Sequence, residues 1–195
     1  MKFTPHAIAD VVVIERKVHG DERGYFSEIF RQDQFAKAIG YNVDFCQDNE
    51  SKSTRGVLRG LHFQRPPYAQ SKLVRVIDGE VLDIAVDIRD NSPTFGQHVA
   101  VILSSENKHQ LFIPRGFAHG FVVLSETATF TYKVDNYYAP DSDRGLAFDD
   151  PSLKIDWQLP LEQLQLSDKD KQQPLLAELA AECAEFDILL NLYQA

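Results

Sequence analysis

The stretch Leu73-Val74-Arg75-Val76-Ile77-Asp78-Gly79-Glu80-Val81-Leu82-Asp83-Ile84-Ala85-Val86-Asp87-Ile88 decides the fold class. In its second half Leu82, Ile84, Val86 and Ile88 fall on one face and Asp83, Ala85 and Asp87 on the other. That is the period of two a strand imposes on its side chains, and it predicts a half-buried strand over 80–88. A second strand is predicted over 73–77. Asp78-Gly79 between them tolerates positive φ, the requirement of a tight primed turn, so the two strands are expected to pair as an antiparallel hairpin. Outward from there, strand patterning recurs over 11–15, 25–30, 43–49, 98–103, 111–113, 120–124 and 127–134, broken by turn residues at short intervals. About nine strands predict an all-β sandwich or barrel.

Helical periodicity is scarce. Asp33 as N-cap and Gly40 just past the end bracket a short helix near 34–39. After Pro174, the spacing of Leu175, Leu179, Cys183, Phe186 and Leu190 predicts an amphipathic helix that must cover something apolar. The chain therefore reads as a β domain over 1–173 with a C-terminal helical extension over 174–195. Its 195 residues suit one domain, and 44% hydrophobic with 25% charged residues is the balance of a folded globular chain.

A net charge of −9 argues against general binding to nucleic acid or to anionic membranes. An anionic ligand would need a local basic pocket. No apolar run approaches the roughly 20 residues that span a bilayer, and the N-terminal residues do not resemble a signal peptide, so a cytoplasmic location is expected. Cys46 and Cys183 stand far apart and read as unpaired thiols. Neither a P-loop nor a G-x-G-x-x-G turn occurs.

Polar groups inside the apolar strands carry the functional signal. Gln47 and Asn49 share a face with Val43 and Phe45 if that strand is regular, which reads either as an inward hydrogen-bonding pair or as the wet side of an edge strand. The block Arg55-Gly56-Val57-Leu58-Arg59-Gly60-Leu61-His62-Phe63-Gln64 sets two arginines and a histidine among glycines and hydrophobes. Strict alternation separates Arg59 from His62, whereas a bulge at Gly60 turns both toward one cavity. His62 alone reads equally as a hydrogen-bonded core residue, and His119, beside Gly120, as the lining of a turn. Tyr132 shares a face with Ala128, Phe130 and Val134, so its phenol projects inward as an acid or as a structural donor. Tyr137 and Tyr138 follow at a strand end, where an exposed ring can stack on a planar ligand. A barrel metal site wants an H-x-H pair, but His62 is followed by Phe63 and Gln64, so no metal is expected and histidine reads as a base.

Taken together these residues carry a resemblance. Gly20-Asp21-Glu22-Arg23-Gly24, Gln47-Asp48-Asn49, the block 55–64, Ser92-Pro93-Thr94-Phe95-Gly96, the run 113–120, the run 136–140 and Leu166-Ser167-Asp168-Lys169-Asp170 resemble, in order, the dTDP-4-dehydrorhamnose 3,5-epimerase family over roughly residues 1–175. The resemblance implies a cupin-type jelly roll with short peripheral helices. It implies epimerisation at C3 and C5 of a dTDP-4-keto-6-deoxyhexose without metal or redox cofactor. His62 matches the family's base, Asp170 its hydrogen-bonding carboxylate, Tyr132 its acid and Lys72 the residue beside the keto oxygen. Arg23, Phe26, Glu28, Gln47, Asp48, Asn49, Arg59, Lys72, His119, Asp143 and Lys169 fall on nucleotide-sugar-binding positions, and Tyr138 on the tyrosine that stacks on thymine. Asp143 stands where many relatives carry a glutamate, and the helix after Pro174 is longer than the family core needs. A homodimer is expected, with Arg23 and Glu28 offered to the partner's pocket. Relatives that invert only C3 or only C5, and a non-catalytic sugar-nucleotide-binding cupin, are the rival readings.

Overall fold

The computed structural model describes residues 1–186. In chain order its elements are β1 (Lys2–Pro5), β2 (Val12–Glu15), β3 (Val18–Asp21), β4 (Gly24–Ser27), α1 (Gln32–Ile39), β5 (Gln47–Thr54), β6 (Leu58–Gln64) and β7 (Lys72–Asp78). They continue with β8 (Glu80–Asp87), β9 (His98–Ser104), β10 (Gln110–Ile113), β11 (Phe117–Val123), β12 (Thr127–Val134), β13 (Asp143–Gly145) and α2 (Ala180–Ala184). Two antiparallel sheets face each other, one ordered β1-β2-β10-β7-β12-β5 and the other β13-β6-β11-β8-β9. This is the all-β sandwich expected of the strand pattern, arranged as the jelly roll that the family resemblance implies. Among the described residues no helix is long and apolar enough to cross a membrane.

The expected hairpin at Asp78-Gly79 does not form. β7 lies between β10 and β12 in one sheet, and β8 lies between β11 and β9 in the other, so the turn is a corner between sheets. Gly79 takes φ 80° there, and a Cβ on it would sit 2.1 Å from the Thr127 carbonyl oxygen and 2.9 Å from Ala128 Cα. Turn chemistry reports that the chain reverses over a short link. It does not report whether the returning strand finds its partner's edge free, and here both edges of β7 are already taken.

The half-buried strand is also corrected, because β8 is covered on both faces. Leu82, Ile84, Val86 and Ile88 pack with Leu58, Leu61 and Phe63 against the C-terminal segment, including Trp157, Leu176, Leu179, Cys183 and Phe186. Val81 and Ala85 face inward, where Val74 and Val76 of β7, Phe121 of β11 and Phe130 of β12 fill the space between the sheets. Asp83 and Asp87, which alternation alone assigns to a wet face, are therefore fully buried. Asp87 is answered by Arg89, Ser92 and Thr94, at 2.6–2.9 Å.

A third apolar cluster closes the outer face of the first sheet, where Phe35 of α1 meets Val12, Ile14, Val43, Leu73 and Phe112. This explains why the strand expected over 43–49 starts late: Val43 is used under the helix, and pairing begins only at Gln47. β5 is an edge strand made almost wholly of polar residues, with no alternation to reveal it. The helix starts earlier than expected, with Arg31 rather than Asp33 at its N-cap. Asp33 sits in the first turn, where an acidic group suits the helix N-terminus, and takes the Arg31 guanidinium (Nε–Oδ1 2.9 Å). Gly40 ends the helix at φ 89°, its N–H bonded to Ala36 O at 2.9 Å.

The strand expected over 25–30 is a short arm instead. β3 and β4 pair only with each other and are exposed along nearly their whole length. After Pro174 the chain makes a 3-10 turn at Leu176–Glu178 and then α2. Leu176, Leu179, Cys183 and Phe186 are buried, whereas Leu175 is 40% exposed, because the turn sets the buried phase one residue later. Leu190 lies outside the described residues.

Candidate active site

One cavity of about 540 Å³ opens between the two sheets. Its polar lining includes Glu50, Ser51, Arg59, His62, Lys72, His119, Tyr132, Ser167, Lys169 and Asp170. The apolar side chains Val57, Leu58, Phe121, Phe130 and Leu166 complete it.

β6 brings Arg59 and His62 to the same side through the bulge anticipated at Gly60. On the neighbouring strand β11, His119 lies opposite His62 and Phe121 opposite Arg59, so three steps along β6 match two along β11. That offset cancels the alternation that separates residues 59 and 62 in a regular strand. Gly60 adopts φ 130°, and a Cβ there would lie 2.5 Å from Gly120 Cα, so neither glycine leaves room for a side chain.

His62 Nε2 lies 2.6 Å from Asp170 Oδ1. Asp170 is 4% exposed. Burial opposes its charge, but the hydrogen bonds of His62, Ser167 and the Gly60 backbone outweigh that cost and hold its carboxyl below the usual carboxylate range. An ionised Asp170 takes the Nε2–H of His62 and leaves the lone pair on Nδ1. The carboxylate is delivered by a segment far along the chain: Val57 bridges Gln165, and Asp170 begins a 3-10 turn whose N–H bonds Ser167 Oγ at 3.1 Å.

Tyr132 enters from the other sheet, on β12, paired with Asn49 of β5 and Val74 of β7. Burial raises its phenol above the ordinary value, so the O–H persists across neutral pH. Lys72, the first residue of β7, donates from Nζ to the His62 carbonyl oxygen at 3.4 Å. Burial lowers its ammonium to about 8, with Asp83 and Asp143 pulling the other way.

At the cavity mouth Lys169 pairs with Asp143 Oδ2, which also accepts from the Tyr138 hydroxyl at 3.3 Å. The bond to Asp143 raises the Lys169 ammonium above its ordinary value. Tyr138 is 58% exposed, its ring available at the rim. Gln47 and Asn49 are half-buried on the face of β5 that carries Tyr132's partner, joined to each other by Gln47 Nε2 donating to Asn49 Oδ1 at 2.8 Å. Arg59 donates from Nε to Ser53 Oγ at 3.2 Å.

Of the expected residues, Arg59, His62, Lys72, His119, Tyr132, Lys169 and Asp170 line this cavity, Gln47, Asn49, Tyr138 and Asp143 stand beside lining residues without lining it themselves, and four lie elsewhere in the chain. Asp48 points the other way from Asn49, as alternation demands, and binds Lys133 Nζ at 2.9 Å. Arg23, Phe26 and Glu28 belong to the exposed arm, where Arg23 pairs with Asp21 and Phe26 is 71% exposed. Conversely, Ser51, Ser167 and Asp83 escaped the sequence reading. Asp83, at 0% exposure, lies 2.9 Å from His119 Nε2 through Oδ2. Only its placement opposite an apolar face marked it, and a solvated face reads the same way. Among the described residues no group of three or more His, Cys, Asp and Glu side chains is placed to hold a metal ion.

The chain matches the family described as dTDP-4-dehydrorhamnose 3,5-epimerase over residues 5–178. It is 58% identical to the dTDP-4-dehydrorhamnose 3,5-epimerase of Shigella flexneri, over 84% of this chain and 89% of that one. It is 54% identical to the enzyme of the same name from Pseudomonas aeruginosa, over 94% of this chain and 99% of that one. Among solved structures it superimposes with a TM-score of 0.89 on the dTDP-6-deoxy-D-glucose-3,5-epimerase of Legionella pneumophila in complex with dTDP-4-keto-L-rhamnose, at 51% identity, covering 93% of this chain and 96% of that chain. With a jelly roll, one cavity between its sheets and this sequence match across nearly its full length, the chain belongs to the dTDP-4-dehydrorhamnose 3,5-epimerase family.

Proposed function

We propose that His62 and Tyr132 invert C3 and C5 of a dTDP-4-keto-6-deoxyhexose from opposite sides, as the family's epimerisation requires. The observation that carries this reading is that an imidazole from the five-stranded sheet and a phenol from the six-stranded sheet line one cavity. A hydrogen on carbon beside a ketone becomes removable when a base takes it while the oxygen's growing charge is held by a cation. His62 takes the proton, and the C–H pair moves into the carbon framework as the carbonyl becomes an enolate. Asp170 stabilises the resulting imidazolium. Lys72 stands for the donor at the enolate oxygen, because an ammonium favours the enolate over the ketone and so lowers the barrier. Tyr132 returns a proton to the opposite face of the same carbon, and the phenolate and imidazolium re-equilibrate with water. The sequence then repeats at the second carbon.

For the rest of the substrate, Arg59 suits the diphosphate, since a guanidinium forks onto phosphate oxygens. Gln47 and Asn49 offer donors and acceptors to thymine or sugar edges, and the exposed Tyr138 ring is placed to stack on the base. We assign Arg23, Phe26 and Glu28 to the pocket of a second copy of the chain. The support is the arm itself: a two-stranded ribbon exposed along its length, with Tyr25 and Phe26 at 62% and 71%, is poorly stable alone in water.

The test is substrate turnover in D2O, read by NMR. Deuterium is expected at both C3 and C5; incorporation at one carbon alone would make the protein a mono-epimerase, and none at either would refute the base assignment. A second expectation concerns pH. Lys72 must be protonated to face an enolate, and its proton is lost as pH rises through about 8, so kcat should decline above that pH. A profile flat to pH 10 would remove Lys72 from the oxyanion role.

A further inference from the structure

The cavity is flanked by a buried carboxylate that the roles above leave unused. Asp83 lies on β8 with no exposed surface, and both its oxygens lie within hydrogen-bond distance of His119 Nε2, at 2.9 and 3.1 Å. Burying a carboxylate costs several kcal/mol unless donors and opposite charge answer it, so an apolar barrel keeps one only with partners. Two partners are present, on different sheets. His119 is on the adjacent strand β11; Lys72 is on β7 of the facing sheet, its Nζ 3.4 Å from the carbonyl oxygen of His62, the residue paired with His119, and Asp83 and Asp143 are the acids that favour its ammonium.

We propose that Asp83 is a positioning residue that fixes the Nε2–H tautomer of His119 and serves as the counter-ion of Lys72, so that a sugar oxygen meets an oriented imidazole and a charged ammonium. The inference rests on Lys72 facing the keto oxygen, and it extends that reading one residue deeper. The corner at Gly79 makes the arrangement: by sending β8 into the facing sheet, it places Lys72 and Asp83, from one continuous stretch, on opposite sheets. Charge balance follows. Burial pushes Asp83 up and His119 down, while the Lys72 ammonium pulls Asp83 back. With Lys72 charged, the arrangement of zero net charge that fills the His119–Asp83 bond is a neutral imidazole donating Nε2–H to an ionised Asp83. The ionisable groups that share the cavity with Lys72 are Glu50 of β5, Arg59 and His62 of β6, His119 of β11, Tyr132 of β12, Lys169 and Asp170, and Asp143 of β13 also acts on its ammonium. Of the two carboxylates that favour that ammonium, Asp143 is already engaged by Lys169, which leaves Asp83 as the main counter-charge.

Asp83→Asn in the full chain is the test, because the amide keeps shape and an acceptor oxygen while removing the charge. The expected result is a kcat lowered about 10²-fold with KM changed less than about threefold. The basic limb of the kcat profile should also move down by about 1–2 pH units, since the ammonium has lost its counter-ion. A carboxylate that merely stabilised the fold would reduce the folded fraction and leave that limb in place. A folded Asp83→Asn variant with an unshifted limb overturns the proposal. If that variant does not fold, the unmodified protein still decides: ¹⁵N NMR of the His119 ring must find the proton on Nε2, and a proton on Nδ1 overturns the assignment. Failure of deuterium exchange in the unmodified enzyme would instead strike His62, without altering the His119 tautomer.

Discussion

His62→Ala abolishes epimerisation, lowering kcat by about 10³-fold or more, and deuterium entry at C3 and C5 falls together because one imidazole serves both carbons. The loss is chemical. The His62 side chain is one-third exposed at the cavity, so its removal leaves a wet space rather than a dry void. Asp170 loses its principal partner but keeps the hydrogen bonds of Ser167 and the Gly60 backbone. The fold should therefore give up no more than about 1 kcal/mol, a fall in Tm of about 2–4 °C for a domain of this size. Thermal denaturation beside the exchange assay separates the two effects. Retention of exchange at either carbon would mean that a second base works there.

Tyr132→Phe should separate the two halves of the reaction. With the phenol gone, His62 still removes a proton, exchanges it with solvent and returns it to the same face. Deuterium should then appear with retention of configuration, while inversion falls by about 10²- to 10³-fold. The substitution keeps the ring among its neighbours Phe130 and Val74, so the fold is spared. Burial raises the Tyr132 phenol, which suits a group that must hold its proton until the enolate forms. Inversion at the unmodified rate in the phenylalanine variant would assign the acid to water or to another side chain.

Residue types and local spacing singled out Arg59, His62 and Tyr132, because those follow from short-range rules, while Lys72, Asp170 and the role of each residue came only with the family resemblance. The inward face of 128–134 placed Tyr132 correctly, since β12 is regular across the site. The glycine in Arg59-Gly60-Leu61-His62 signalled the bulge, because a Cβ at that position would lie 2.5 Å from the Gly120 Cα of the neighbouring strand. Asp48, expected beside Gln47 and Asn49 among the binding positions, lies instead on the opposite face with Lys133. What local rules did not carry were the partners. β5 has eight polar residues and no periodic signal, so its pairing with β12 depends on that neighbour's free edge. Asp83 looked solvated because period two labels two faces without saying what covers them.

Local sequence thus determined that this chain is built of strands, that the turn at Asp78-Gly79 is tight, and that an imidazole and a phenol stand among its apolar positions. These depend on steric and periodic constraints acting over a few residues. Tertiary structure decided that the same turn passes between sheets, that both faces of β8 are buried, and that His62 meets Asp170 from 108 residues away. Those outcomes depend on which strand edges remain free and which apolar surfaces must be covered once the whole chain has packed, and no short window contains that competition.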